Sequence, residues 1–238
     1  MIPWHPSVKI IKIENSIFAI DKPCGILSQP NKSSICKQSI IQAAYDLKRE
    51  AYKTEDGDVY LLNRLDSPTS GIVILCKDFE IAKKIKLAFK EHKVNKIYHA
   101  IVKGRFPTYK MYWQDRLDIQ KQNNKIRTKC TLYSGIISKT DVMFLKNYSA
   151  NGENLSLIQL KPHTGRSHQL RVQCAHHNFP ILGDKIYGNF NCNHRLKAER
   201  LFLHAYHIDF VLSSSMSFSA TSEPGFKEVL PFINYAQM

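Results

Sequence analysis

Two short apolar runs with a polar loop between them are the sharpest pattern in the chain. Residues 59–62 and 72–76 each read as a buried strand, and residues 63–71 join them through Arg64, Asp66, Ser67, Thr69 and Ser70. Pro68 and Gly71 punctuate the loop, as expected of a segment held in one shape between two strands. Read alone, Asp66 is a turn-capping aspartate. An arginine two residues before it makes the loop a place to look for chemistry.

The same pattern predicts other elements along the chain. Residues 16–20 form a short apolar strand that ends at the turn Asp21-Lys22-Pro23-Cys24-Gly25. Ser33 or Ser34 is placed to cap a helix reaching about Ala51, with Ile41, Ala44, Tyr45 and Lys48 on one face. Asp78 is a good N-cap for a helix whose apolar stripe is Ile81, Ile85, Ala88 and Phe89, with five lysines on a solvated face. Residues 96–102 alternate as a strand, with Tyr98, Ala100 and Val102 on one side and Ile97, His99 and Ile101 on the other. Between 104 and 154 the pattern is weak. There, 120–129 reads as a polar hairpin tip or loop, and 131–137 and 140–145 read as strands.

Residues 155–160 form a clear strand. It runs into a Pro- and Gly-broken turn and a helix capped by Thr164 or Ser167, ending near Asn178. Leu170 and Cys174, four apart, face the core on that helix, and Arg171 without a partner in view reads as a surface residue. Residues 201–210 form a late strand, 213–219 a loop, and a short helix follows Phe226.

Composition narrows the class. At 238 residues and 43% hydrophobic, the chain can bury a sizeable core. Its 34 Lys and Arg against 20 Asp and Glu give +14, which points to a polyanionic partner, nucleic acid first. No apolar core of a signal peptide follows Met1, and no run is long enough to span a membrane, so no membrane association is expected. Six scattered cysteines without a C-x-x-C pair suit a reducing cytosol.

Several chemistries are poorly supported. Cys174, His176, His177, Cys192 and His194 crowd one region, but their spacing is not that of a zinc motif, so no metal is expected. There is no G-x-S-x-G elbow, no G-x-G-x-x-G and no Walker loop, so neither a serine hydrolase nor a nucleotide cofactor is indicated. Asp66 has no second acid nearby in sequence for a glycosidase pair.

Taken together, four blocks carry a resemblance. They are Asp21-Lys22-Pro23-x-Gly25, Asn63-Arg64-Leu65-Asp66-x-x-Thr69-Ser70-Gly71, Lys96-x-Tyr98-x-Ala100-x-Val102-x-Gly104, and Lys161-Pro162-x-Thr164-Gly165-Arg166-x-His168-Gln169-Leu170-Arg171. Pro180-Ile181-x-Gly183-Asp184-x-x-Tyr187-Gly188 and Leu201-x-Leu203-His204-Ala205 extend it. Over about residues 15–230, in order and at family spacing, the chain resembles the RluA family of RNA pseudouridine synthases.

The resemblance implies an α+β fold: a long, mostly antiparallel mixed β-sheet with flanking helices and a central cleft, as one catalytic domain over 1–238. It implies isomerisation of uridine to pseudouridine in structured rRNA or tRNA, with no cofactor, by a cytoplasmic monomer. Asp66 maps to the family's nucleophile, Tyr98 to the tyrosine that stacks on uracil, and Arg171 to the arginine that pairs with the catalytic carboxylate. Arg64 maps to the arginine that fills the space a flipped uridine leaves. Lys22, Leu65, Thr69, Arg166, His168 and Gln169 complete the expected RNA- and substrate-binding set. Two departures stand out: Asn63 where the family usually has His, and Gln173 where His is common. The segment 105–150 matches loosely, and no S4-type RNA-binding domain is expected before the catalytic region.

A second hypothesis is an RNA-binding or ribosome-assembly factor of the same fold that has lost activity. A third is a hydrolase of nucleosides or acyl groups.

Overall fold

The structure is a computed structural model that describes residues 1–30, 37–122 and 125–226. The first elements are β1 (Lys9–Glu14), β2 (Ile17–Lys22), β3 (Ala44–Asp46), β4 (Ala51–Thr54), β5 (Gly57–Leu61), β6 (Ser70–Cys76) and α1 (Phe79–Lys90). Then come β7 (Asn95–Lys103), β8 (Met111–Gln122), β9 (Lys125–Thr131), β10 (Ile136–Ala150) and β11 (Glu153–Pro162). The last are α2 (Gln169–His176), α3 (Phe190–Arg195), β12 (Leu203–Ser213) and β13 (Met216–Thr221). The chain gathers into two compact units, Met1–Lys96 with Ala205–Glu223, and Ile97–His204 with the segment from Pro224.

In the first unit, β6 is buried at every position, which is why residues 72–76 are one unbroken apolar run. It pairs antiparallel with β5 and with β2, aligning Leu61 with Leu75 and Ile20 with Val73. Ile72 and Ile74 meet Ile17, Ala19, Ile208 and Phe210 in one core, closed by Ala82, Ile85 and Ala88 of α1. Asp78 caps α1 as expected, its Oδ1 accepting the Ile81 N–H at 2.8 Å. Ile81 and Phe89 of the expected stripe pack at the margin of this core, and Ala82 takes a buried place.

The helix expected up to residue 51 is not formed among the described residues, and its Ser33 or Ser34 cap lies outside them. β3 and β4 make a hairpin there instead, pairing Tyr45 with Tyr52 at a ring separation of 4.8 Å. Asp46 Oδ1 accepts the N–H groups of Lys48 and Arg49, and Glu50 adopts φ +52°. That side-chain turn offers the backbone an alternative to helix, and burying two tyrosines across strands stabilises it. The polar stretch at 53–58 is the turn of the next hairpin, between β4 and β5.

The second unit is an antiparallel sheet in the order β7-β11-β10-β8-β9. The alternation along β7 holds: Tyr98, Ala100 and Val102 pack with Leu170, Cys174 and Ile181, while Ile101 packs with Leu182, Cys192 and Phe202. Of the polar segment 120–129, residues 120–122 and 125–129 lie in the paired strands β8 and β9. The strand expected at 131–137 is instead the end of β9, a turn and the start of β10. At Gly135 (φ +87°) an added Cβ would lie 2.5 Å from the Leu117 carbonyl. The loop expected at 213–219 is a tight hairpin into β13. The short helix expected after Phe226 lies outside the described residues. An α+β fold with a mostly antiparallel sheet is what the sequence led one to expect.

Candidate active site

The Asp66 loop is held by atoms that the sequence scatters. The Lys22 side chain is fully buried, and its Nζ donates to the carbonyls of Pro23 (2.9 Å), Ile26 (2.8 Å) and Ser67 (3.1 Å). Such an ammonium ties the turn after β2 to the residue following Asp66. Ser28 Oγ accepts the Leu65 N–H at 3.0 Å and donates to the Leu65 carbonyl at 2.9 Å. The Gly25 N–H donates to the Ser67 carbonyl, and the Thr69 N–H donates to that of Asp66. Leu65 and Thr69 are buried, Asp66 is half-buried and Arg64 is exposed. The loop therefore presents a charged pair on a backbone fixed from behind.

Asn63 has a structural task that the sequence did not disclose. Its Oδ1 accepts the Ile74 N–H at 2.7 Å and its Nδ2 donates to the Ile72 carbonyl at 3.3 Å. The side-chain amide thus continues the β5–β6 pairing for one more step and fixes where the loop leaves the sheet. At the other end, Gly71 (φ +111°) lies so close to β12 that an added Cβ would be 2.4 Å from the Ala205 carbonyl oxygen. Only glycine meets both conditions.

In the second unit Tyr98 is half-buried on β7, against the core that also holds Leu170 and Cys174. Arg171 is not a surface residue. Its side chain is 4% exposed and that of Asp184 is fully buried. Nε and Nη2 of Arg171 donate to Oδ2 and Oδ1 of Asp184, both at 2.8 Å. Oδ1 also accepts the N–H groups of Ile186 (2.8 Å) and Tyr187 (3.1 Å), and the guanidinium lies 5.3 Å from the centre of the Tyr187 ring. Burial alone would raise the Asp184 carboxyl, but the Arg171 hydrogen bonds and charge, with the two backbone donors, outweigh it and hold it below the usual range. A two-point fork of this kind leaves the arginine little freedom to turn.

The start of α2 is built differently from the expectation. Neither Thr164 nor Ser167 caps it; His168 occupies the cap position in the left-handed region (φ +57°). The buried Gln169 does the joining: its Oε1 accepts from Thr164 Oγ1 and the Arg166 N–H, and its Nε2 donates to the Lys139 carbonyl and Thr140 Oγ1. His168 Nδ1 sits 2.8 Å from the Tyr187 hydroxyl, and Arg166 is exposed beside it. Gln173, the second departure, is fully buried and bridges Thr140 Oγ1 to Asp115 Oδ2, both at 2.7 Å.

Each unit therefore carries its own share of the expected residues: Lys22, Arg64, Leu65, Asp66 and Thr69 in one, and Tyr98, Arg166, His168, Gln169 and Arg171 in the other. Sequence reasoning missed Asp184 and Tyr187 as the partners of Arg171. Both lie in the motif at 180–188, but thirteen residues separate Asp184 from Arg171, and no periodicity links them.

An α+β chain with a single carboxylate on a braced loop and a buried arginine fork is the class these features define. The comparisons agree with it. The chain matches the family described as RNA pseudouridylate synthase over residues 16–176. It is 34% identical over 209 residues to Ribosomal large subunit pseudouridine synthase D of Borreliella burgdorferi, covering 87% of this chain and 62% of that protein. To the Dual-specificity RNA pseudouridine synthase RluA of Vibrio parahaemolyticus it is 30% identical over 209 residues, covering 87% and 79%. Among solved structures, Human RNA Pseudouridylate Synthase Domain Containing 1 has the same fold, with a TM-score of 0.74 at 22% identity over 94% of this chain and 86% of that one. The chain spans less than two thirds of the length of the Borreliella protein. It belongs to the RNA pseudouridylate synthase family, in its RluA branch.

Proposed function

We propose that this chain is an RNA pseudouridine synthase that converts specific uridines of structured rRNA or tRNA, with Asp66 as nucleophile. The observation that carries the reading is the Asp66 loop: in a member of this family, a half-buried carboxylate sits on a backbone braced by Lys22, Ser28 and Asn63. The carboxylate attacks the uridine, and the bond from C1′ to N1 breaks. The uracil then turns, C5 bonds to C1′ as the bond to the Asp66 carboxylate breaks and frees it, C5 loses its proton and N1 gains one. Nothing is oxidised or reduced, so the acid–base chemistry of side chains suffices and no cofactor is called for.

In this reading Tyr98 stacks on the uracil and Arg171 holds the reacting carboxylate ionised, its fork fixed by Asp184. Arg64, exposed beside Asp66, fills the space the flipped uridine leaves. Arg166 and His168 meet the RNA backbone, while Leu65, Thr69 and Gln169, all buried, shape the site from behind. Lys22, fully buried, serves by positioning the loop. The +14 charge favours a phosphate-rich partner. The enzyme acts as a cytoplasmic monomer. One relative is named for the ribosomal large subunit, another for dual specificity, and a third, of Yersinia pestis, is named a tRNA pseudouridine synthase, so both rRNA and tRNA are candidate substrates.

Unmodified transcripts of rRNA and tRNA incubated with the protein, then mapped for pseudouridine by carbodiimide-induced reverse-transcription stops, test this. A discrete new pseudouridine is expected in one class. Conversion in neither would overturn the reading.

A further inference from the structure

One cluster on the second unit is unused by the site described above. Asp115 of β8 and Cys130 of β9 project from the same face of that hairpin, because Cys130 pairs with Leu117, two residues from Asp115. That face is covered by the C-terminal end of α2, where His176 stands. A carboxylate oxygen, the thiol sulfur and an imidazole nitrogen lie within 4.8 Å of one another, with Asp115 Oδ1 and His176 Nε2 3.8 Å apart. All three line a cavity of about 330 Å³, together with Gln114, Arg116 and Ile137.

We propose that Asp115, Cys130 and His176 form a transition-metal site of the zinc class, joining the β8–β9 hairpin to the C-terminal end of α2. The donor set decides the class: thiolate and imidazole favour zinc and its neighbours over magnesium or calcium. Bond lengths near 2.0–2.3 Å about a tetrahedral ion put ligand atoms roughly 3.3–3.7 Å apart, so the pair at 3.8 Å is almost in place. The side chain of His176 is half-exposed, so a small rotation of its ring is all that closing on Cys130 requires. Cys130 releases its proton to solvent on binding, and carboxylate plus thiolate then balance a divalent ion. Three protein ligands leave the fourth position to water from the cavity.

The surroundings are those of an oriented ligand. Gln173 Nε2 donates to Asp115 Oδ2 at 2.7 Å, and His177 Nε2 lies 3.1 and 3.2 Å from its two oxygens. His177 is itself stacked on Trp113, with ring centres 4.4 Å apart and planes 5° apart. Partners that hold a ligating carboxylate in this way set its aim and its affinity. The ligands come from positions 115, 130 and 176, so no spacing motif announces them.

The test uses the untagged, reduced full chain titrated with Co²⁺, then Zn²⁺. One equivalent of Co²⁺ is expected to give a thiolate-to-cobalt charge-transfer band, and to quench Trp113, one of two tryptophans. Zn²⁺ should displace it and, at a hundredfold excess over its Kd, raise Tm by about 5–10 °C. Cys130→Ser should abolish the band, and Cys24→Ser should leave it intact. His176→Ala, at a half-exposed position, should weaken binding by at least the roughly tenfold that loss of an outer-shell partner costs. Absence of the band in the wild type, or its survival in Cys130→Ser, would overturn the site.

Discussion

Replacing Asp184 by Asn removes the charge that balances Arg171 while keeping the side-chain shape. In the wild type both oxygens are occupied: Oδ2 by Arg171 Nε, and Oδ1 by Arg171 Nη2 and the N–H groups of Ile186 and Tyr187. An amide keeps one oxygen and turns an NH₂ toward a donor whichever way it is placed. The buried guanidinium, 4% exposed, loses the carboxylate that holds its fork at two points. Breaking a buried pair from one side costs about 3–5 kcal/mol, a large share of the roughly 5–15 kcal/mol that holds a domain folded. At about 2–4 °C per kcal/mol for a chain of this size, Tm should fall by roughly 6–20 °C.

Urea unfolding of wild type, Asp184→Asn and the double variant Arg171→Met/Asp184→Leu measures this. The double variant should recover most of the stability, because an apolar pair of similar volume replaces the ions, yet it should remain inactive on RNA because Arg171 is gone. A loss below about 1 kcal/mol in Asp184→Asn would refute the argument, and so would full activity in the double variant.

Asn63→Ala strips the partner from the buried Ile74 N–H. It should lower stability by about 1–3 kcal/mol, read as a shift in the urea midpoint with an unchanged m-value. Gly71→Ala sets a Cβ 2.4 Å from the Ala205 carbonyl at φ +111°. A loss of about 2–6 kcal/mol is expected by thermal melting, and activity should fall with it because the Asp66 loop ends there. His99 is buried, and desolvation, only partly countered by a Gln159 hydrogen bond, pushes its pKa from 6.5 down to about 4. The unfolded chain therefore binds the extra proton first, so stability should fall as pH drops from about 6.5 to 4, by roughly 3 kcal/mol in all. In His99→Gln that part of the pH dependence should vanish from melts taken at pH 7 and pH 4.5.

What the sequence disclosed follows from how local each signal was. β6 was legible because it is buried on both faces, and β7 because its two faces enter two different cores. α1 was legible from Asp78 and its stripe. The segment up to residue 51 misled because Ile41, Ala44, Tyr45 and Lys48 fall at helical spacing. The burial that settles it is Tyr45 on Tyr52, a cross-strand pair.

The Asp66 loop stood out from its residues, but the atoms that brace it did not: Lys22 lies 45 residues from Ser67 and Ser28 lies 37 from Leu65. Asn63 and Gln173 departed from the family pattern in sequence. In the structure each is a bridging amide, one completing the edge of β6 and one joining Thr140 to Asp115. Arg171 read as a surface residue until Asp184 was brought beside it.

The central claim is that the Asp66 carboxylate is the nucleophile. Tritium release from RNA labelled at C5 of uridine, followed under single turnover with Asp66→Asn beside the wild type, tests it most directly, with RNA affinity and melting measured on the same preparations. Release by the wild type is expected. In Asp66→Asn it should be lost at near-wild-type RNA binding and Tm. Undiminished release by Asp66→Asn would contradict the account.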